Sequence, residues 1–363
     1  MAAGRAAAAH RGRRPGRGSR RVTTPPAPLK ADFTFTGRIE RTAAAAAHAE
    51  AHGADGMLVN EMRHDAFLQL ALAAGATRRA DLVSGVAIAF ARNPMTVATA
   101  AYDVQRLSGG RLTVGLGSQV KPHITHRYGM PWSRPAARMK EFAAALRAIW
   151  HSWQTGDRLR FRGEFYTHTL MTPMFDPGPL PSGPPRIWLA GVGPMMTAVA
   201  GEAADGLICH ALTSADYLRQ VTLPTVHKAR EASEHAGRPF EVAGNALVAT
   251  GRTEEEYAAA LTATRERIAF YASTPAYRAV LDLHGWGELH DELHRLSVRG
   301  RWAEMGGLVD DDVLDAFAVH GEPRTAGRAV RDRFAGLCTR VTVSLSHDAD
   351  DSLALDVLAG IRD

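Results

Sequence analysis

Cysteine is nearly missing: 363 residues hold only Cys209 and Cys338, far apart and inside the apolar segments GLICHAL and GLCTRVTV. Two buried thiols in a reducing compartment, the cytoplasm, are expected rather than a disulfide. No CxxC or HExxH spacing occurs, so no metal site is expected. No apolar run approaches eighteen residues, which excludes a membrane-spanning helix and leaves no membrane partner expected. Neither a Walker loop, a hydrolase elbow nor a GxGxxG after the first strand is present, which argues against phosphate-loop, serine-hydrolase and dinucleotide-fold chemistry. Positive charge is scarce where it would matter. The formal charge of +5 rests on residues 1–30, which carry seven arginines, one lysine and no acid; the rest holds 35 basic against 38 acidic side chains, about −3. No nucleic-acid partner is therefore expected for the body.

The segment MAAGRAAAAHRGRRPGRGSRRVTTPPAP is a low-complexity run too poor in apolar residues to build a core. Residues 1–30 are read as a disordered basic tail. It lacks the apolar stretch of a secretory signal, and a nucleic-acid-binding arm stays open for it. With 45% hydrophobic and 22% charged residues, the remainder has a globular composition.

From residue 31 strand-like and helix-like segments alternate. ADFTFTG (31–37), GMLVNE (56–61), DLVSGVAIAFA (81–91), LTVGLGS (112–118), RIWLAGVG (186–193), GLICHAL (206–212), FEVAGNALVATG (240–251) and TRVTVSL (339–345) read as strands. Ala-rich or amphipathic stretches between them read as helices, with FAVHGEP another short strand and no helix expected after the last one. Two segments break the rhythm: 155–185, with the hairpin-like LRFRGEFYTH and a Pro-rich run, and the mostly helical 275–313. Seven or eight strands, each followed by a helix, predict a (β/α)8 barrel spanning 31–363 with those two insertions. A doubly wound open sheet is the alternative, because alternation alone does not show closure.

In a parallel barrel the chemistry sits at the carboxyl ends of the strands. That rule selects Asn60, Glu61 and His64 after the second strand, Gly85 and Val86 within the third, Gly117, Ser118, Gln119, Lys121 and His123 after the fourth, Gly191, Val192, Gly193 and Pro194 after the fifth, and His210 after the sixth. Glycines in GLGSQ and AGVGP let a backbone approach a flat ring or a phosphate, and a helix opening at Pro194 offers free N–H groups to an anion. Equally, AGVGP is a tight strand-to-helix turn and the Lys121–Arg127 loop a solvated face. Lys121 and His123 are the plausible anion contacts; His126 and Arg127 are left to solvent. Asp65 either pairs with His64 for acid/base work or caps the helix at Ala66. With no protein nucleophile or metal evident, a bound organic cofactor is expected to carry the chemistry.

The stretch SGVAIAFARNPMTVATAAYDVQRLSGGRLTVGLGSQVKPHITHRYGMPW, followed by PPRIWLAGVGPMMTAVAGEAADGL, resembles the luciferase-like monooxygenase superfamily, and within it the F420-dependent oxidoreductases. The resemblance covers about residues 31–345. It implies a luciferase-type (β/α)8 barrel that binds the deazaflavin coenzyme F420 or a flavin such as FMN, with a small-molecule substrate. It also implies a non-prolyl cis peptide in the third strand, at Gly85–Val86 or one residue earlier. Gly117, Ser118 and Gln119 would lie beside the ring and phosphate, and the turn Gly191–Pro194 would give backbone donors. FMN-binding members carry an arginine where Ser118 stands, which tilts the choice toward F420. The histidine and glutamate of F420-dependent sugar-phosphate dehydrogenases fall on Met62 and Val120, so that reaction is not expected; His64 or Glu61 are the substitutes for acid/base work. Homodimers are common in such families. An FMN-dependent monooxygenase and a catalytically silent flavin-binding protein are the alternatives.

Overall fold

The last barrel strand pairs with the first. In the computed structural model, which describes residues 28–345 and 351–363, the ring consists of β1 (Lys30–Phe35), β2 (Gly56–Val59), β3 (Asp81–Ser84, resuming at Ala87–Ile88), β4 (Leu112–Gly117), β5 (Arg186–Gly191), β6 (Gly206–Cys209), β7 (Glu241–Ala249) and β8 (Arg340–Leu345). All neighbours are parallel. Lys30, Ala31 and Asp32 lie opposite Arg340, Val341 and Thr342, which closes the ring and rules out the open sheet. Residues 1–27, nearly all of the basic tail, lie outside the described residues.

Helices α1 (Thr42–Ala51), α2 (Ala66–Ala76), α3 (Pro94–Ser108), α4 (Pro135–Thr155), α5 (Pro194–Ala203) and α6 (residues 215–231) follow the first six strands. The next helix, α7 (Glu254–Ala272), starts as its sequence predicts, with the Thr253 hydroxyl accepting the Glu256 N–H and three glutamates in the first turn. It does not return along the barrel wall. Arg267 of α7 donates to the carbonyl of Leu345 (3.0 Å) and to the Ser344 hydroxyl (3.1 Å), so α7 lies across the mouth at the end of β8. After α7 come α8 (Arg278–Leu283), α9 (Gly287–Val298) and α10 (Asp311–Phe317), over the stretch expected as a mostly helical insertion. FAVHGEP forms a three-residue strand, Ala318–His320, paired outside the ring to the end of β7. The helix that leads back to β8 is α11 (Pro323–Phe334), and α12 (Asp351–Arg362) follows β8, where no helix was expected.

The excursion at 155–185 is anchored on the outer helices. Glu141 of α4 accepts the N–H groups of Glu164, Phe165 and Tyr166, and Tyr102 and Gln105 of α3 bind the carbonyls of Gly178 and Gly183. The segment after β7, by contrast, reaches strand ends through Arg267 and Tyr271. Within it Trp286 stacks on His284 as core, whereas Trp302 is half exposed. Both cysteines are free and buried. Cys338 lies against Gly244, and the neighbouring Cys209 together with burial pushes its thiol well above the usual range.

The opposite end of the barrel is plugged by charge. Arg340 forms a two-point bond to Asp32 (both 2.6 Å), reaches Asp81 at 3.0 Å, and lies 5.3 Å from the Trp188 ring. Burial opposes the guanidinium charge, but the carboxylates of Asp32, Asp81 and Glu241 outweigh it and hold Arg340 above its ordinary pKa. Gly56 and Gly206 make the space: a Cβ at Gly56 would stand 2.6 Å from Arg340 Nη2, and one at Gly206 2.5 Å from the Trp188 ring. Removing one partner of a buried pair leaves the other charge unpaired. Arg340→Met is therefore expected to cost about 3–5 kcal/mol in urea unfolding; a loss under 1 kcal/mol would show that the plug is not needed.

Candidate active site

Two small residues of GLGSQ serve the barrel before they serve any ligand. The Gly85–Val86 peptide is cis, where the resemblance placed it, and β3 breaks there before resuming alongside Leu116 and Gly117. Ser84 bridges the break, its hydroxyl donating to the Gly115 carbonyl and accepting the Gly115 N–H, both at 2.9 Å. A Cβ at Gly115 would sit 1.9 Å from the Ser84 carbonyl oxygen, and one at Gly117 2.5 Å from Val86 Cγ2. The glycines thus admit the bent third strand, and Gly85 and Val86 stay half-buried at the mouth.

Beside them, Glu61 accepts the Ile88 N–H (2.7 Å) and a two-point bond from Arg92 (2.7 and 2.6 Å), and Arg92 also reaches Asp65 at 2.5 Å. A carboxylate so engaged fixes the loop after β2 to the end of β3. Asp65 caps α2 by accepting from Phe67 and Leu68, Asn93 caps α3, and Pro94 takes the first helical position. In LSGGR, Gly109 and Gly110 have φ of 65° and 95°, and Arg111 donates to the carbonyls of Ala74, Thr77, Ala80 and Ser108. The motifs that carry the resemblance are scaffolding, built to hold β2, β3 and β4 in register. His64 and Asn60 are half-buried, and neither has a hydrogen-bond partner among the described residues.

After β4, Ser118 and Gln119 fold on themselves: the Ser118 hydroxyl donates to the Gln119 carbonyl, and the Gln119 side chain accepts the Val120 N–H. Gln119 has φ 58°, an uncommon conformation for a residue with a Cβ. Lys121 and His123 are exposed on the rim. His126 is exposed too, but Arg127 binds the Met62 carbonyl at 3.0 Å and packs over Tyr128, tying this loop to the one after β2. At the end of β5, Gly191 is buried and Val192 half-buried. Gly193 is the N-cap of α5 without a side-chain bond, and a Cβ there would meet nothing within 4 Å. Pro194 has no N–H, and the first return bond is Thr197 N–H to Gly193, which leaves the N–H groups of Met195 and Met196 unused by the helix.

Inside the ring, Thr34 of β1, Thr342 of β8 and Asn245 of β7 each keep a buried side-chain oxygen without a partner, and Asn245 lies opposite Thr342. Polar residues at alternate positions in RVTVS and EVAGNA were the available signal. Unpartnered polar atoms thus occur on β7, β8 and β1, and also at Thr113 of β4 and Trp188 of β5. His210 ends β6 with its Nδ1 accepting the Leu212 N–H at 3.0 Å. Tyr277 stacks on it (4.4 Å between centres) and Tyr271 meets its edge (4.6 Å). Both tyrosines come from the insertion, 61 to 67 residues further on, so their meeting with His210 was not visible in the sequence.

Burial pushes His210 down from 6.5 to about 4 and Tyr277 up to about 12. A histidine with a lowered folded pKa makes the fold lose stability as pH falls from 6.5 toward 4, because the unfolded chain takes the proton first. The loss is about 3 kcal/mol, and urea unfolding of His210→Gln should lack that part of the decline; an identical pH slope in the variant would refute it. Gly115→Ala is expected to lose more than ~3 kcal/mol, since the new methyl would collide with backbone; a fully stable variant would contradict the packing at Ser84.

The family described as luciferase-like monooxygenase matches residues 18–340. An uncharacterized protein of Mycobacterium tuberculosis strain H37Rv is 51% identical over 313 residues, 86% of this chain and 92% of its own. An F420-dependent glucose-6-phosphate dehydrogenase of Gordonia bronchialis is 29% identical over 205 residues, 53% of this chain and 58% of its own. The solved coenzyme F420-dependent tetrahydromethanopterin reductase from Methanopyrus kandleri matches with TM-score 0.74 at 20% identity, over 92% of this chain and 97% of that one; at that identity the likeness shows the fold. Among the described residues no helix is long and apolar enough to cross a membrane. With its closed parallel barrel, the broken third strand and a match over most of its length, the chain belongs to the luciferase-like monooxygenase family.

Proposed function

We propose that this chain is an oxidoreductase of the cytoplasm that binds the deazaflavin coenzyme F420 at the strand carboxyl ends and moves a hydride between it and a small organic substrate. The observation that carries the reading is the start of α5. Gly193 is open, Pro194 needs no acceptor, and the Met195 and Met196 N–H groups face outward with the helix dipole behind them, a fitting seat for a phosphate. Opposite it, Ser118 carries no charge, and Lys121 and His123 line the rim where an acidic tail would leave. Val86, Gly117 and Gln119 would back the ring, and Asn60 and Asn245 would meet its polar edge. Bound there, the deazaflavin supplies a ring carbon that gives or takes a hydride.

The chain's own residues orient, exclude water and handle protons. Glu61 is spent on Arg92 and Ile88, and in this reading it positions β3 beside the ring. His64, half-buried and with no side-chain hydrogen bond among the described residues, is the acid/base group. Met62 and Val120, which stand where the sugar-phosphate dehydrogenases carry their acid and base, are exposed and apolar, so the substrate differs from theirs.

Titration with F420 and with FMN, followed by quenching and visible absorbance, tests this directly. F420 is expected to bind tighter; tight FMN binding with no F420 response would make the chain a flavin monooxygenase, and binding of neither a silent barrel. Gly193→Asp sharpens the test. Aspartate fits the open space and is a good helix cap, so stability should hold or rise while F420 affinity falls about tenfold from charge repulsion. Unchanged affinity would remove α5 from the cofactor site.

A further inference from the structure

A cleft of about 340 Å³ opens on the insertion, lined by Glu266 and Phe270 of α7 and by Trp302, Ala303 and Met305 of the loop after α9. None of these residues belongs to the candidate cofactor site. Phe270 and Trp302 are each about half exposed, at 52% and 50%, and their rings stand 5.7 Å apart with planes inclined at 43°. Buried Met305 and the small Ala303 complete an apolar lining. Glu266 is its one charged member. The Glu266 stem lies against Gly306, where a Cβ would stand 2.9 Å from its Cγ, so the glycine lets the side chain settle at the cleft. Its carboxylate has no hydrogen bond or ion pair among the described residues. The cations beside it are engaged elsewhere: Arg265 on Asp311, Arg267 on Ser344 and the Leu345 carbonyl, and Arg301 on Glu304.

We propose that this cleft binds a small quaternary ammonium compound, with the charged head held by the Phe270 and Trp302 rings and by the Glu266 carboxylate. The inference goes beyond the reading of the mouth as a hydride-transfer site and does not depend on it. A cation is drawn to the face of an aromatic ring by the ring's quadrupole, most strongly to an indole, and the unpaired carboxylate adds its own attraction. The lining also chooses among cations. A primary ammonium brings three N–H donors and a guanidinium five. The cleft's side chains offer them one carboxylate and otherwise only carbon, sulfur and an indole N–H, so most of those donors would leave water without an acceptor. A quaternary ammonium has no N–H to satisfy. Its charge is spread over alkyl groups that pack on the rings and on Met305. Anions are repelled by Glu266, and an uncharged compound of the same shape keeps only the apolar contact.

The full chain is titrated at fixed ionic strength with choline, with dimethylbutanol as its uncharged carbon isostere, and with butylammonium as a primary cation, followed by indole N–H resonances. Choline is expected to move the Trp302 signal, assigned by its loss in Trp302→Leu, and to bind about tenfold tighter than either comparison compound. Glu266→Gln should lose about fivefold in choline affinity, an effect that shrinks as salt is added. Trp302→Leu should lose about tenfold, and Trp302→Phe, which restores an aromatic face, should recover part of it. All three variants should keep wild-type F420 affinity and urea midpoint, since the altered side chains are exposed and outside the mouth. No response to choline, equal affinity for the isostere, tighter binding of butylammonium, or unchanged choline affinity in Trp302→Leu would each overturn the inference. Phosphatidylcholine vesicles carry the same head group; binding to them without a response to free choline would place the ligand on a lipid surface and overturn the assignment to a small compound. A chain that binds choline through Trp302 and never binds F420 would overturn the cofactor reading and leave this one standing.

Discussion

Closure of the ring depends on one buried guanidinium. Arg340 starts the last strand, and its two bonds to Asp32 join that strand to the first where the barrel must meet itself. A pair so deep is no general source of stability, because both charges have left water. Its value is directional. Only one register of β8 against β1 lets the planar guanidinium meet Asp32 and Asp81 together, with Trp188 beneath it. With register and closure fixed at the amino ends, β7, β8 and β1 can keep the unpartnered oxygens of Asn245, Thr342 and Thr34 further along the barrel.

The strands were legible because parallel strands buried on both faces read as unbroken apolar runs, and GMLV or GLIC has no other home. Helix starts were legible where a cap and a first-turn proline or acid coincide, as at Asn93–Pro94 and Thr253. What the sequence could not display is pairing at a distance. Glu61 looks like a free base until Arg92, 31 residues later, is seen to hold it. Gly115 looks like a berth for a ring until the Ser84 carbonyl is found against it. The path of α7 was hidden for the same reason: its Ala-rich stretch fits a wall helix, and only contacts such as Arg267 with the end of β8 show that it lies at the strand ends.

The division of the interior follows from these constraints. On the β3–β4 side, glycine at 115 and 117 is required by the bent third strand. On the β7–β8–β1 side no such crowding exists, and polar side chains fit. His210 at the end of β6 and, from the insertion, Tyr271 and Tyr277 form a third wall.

That third wall has its own origin. Residues 250–317 leave the ring after β7 and touch it again only at strand ends and through the short strand at Ala318–His320. None of the eight ring pairings needs them. Such a segment can change in sequence, length and chemistry at little risk to barrel closure, which leaves its aromatic lining free to be shaped by what it meets rather than by the ring that carries it.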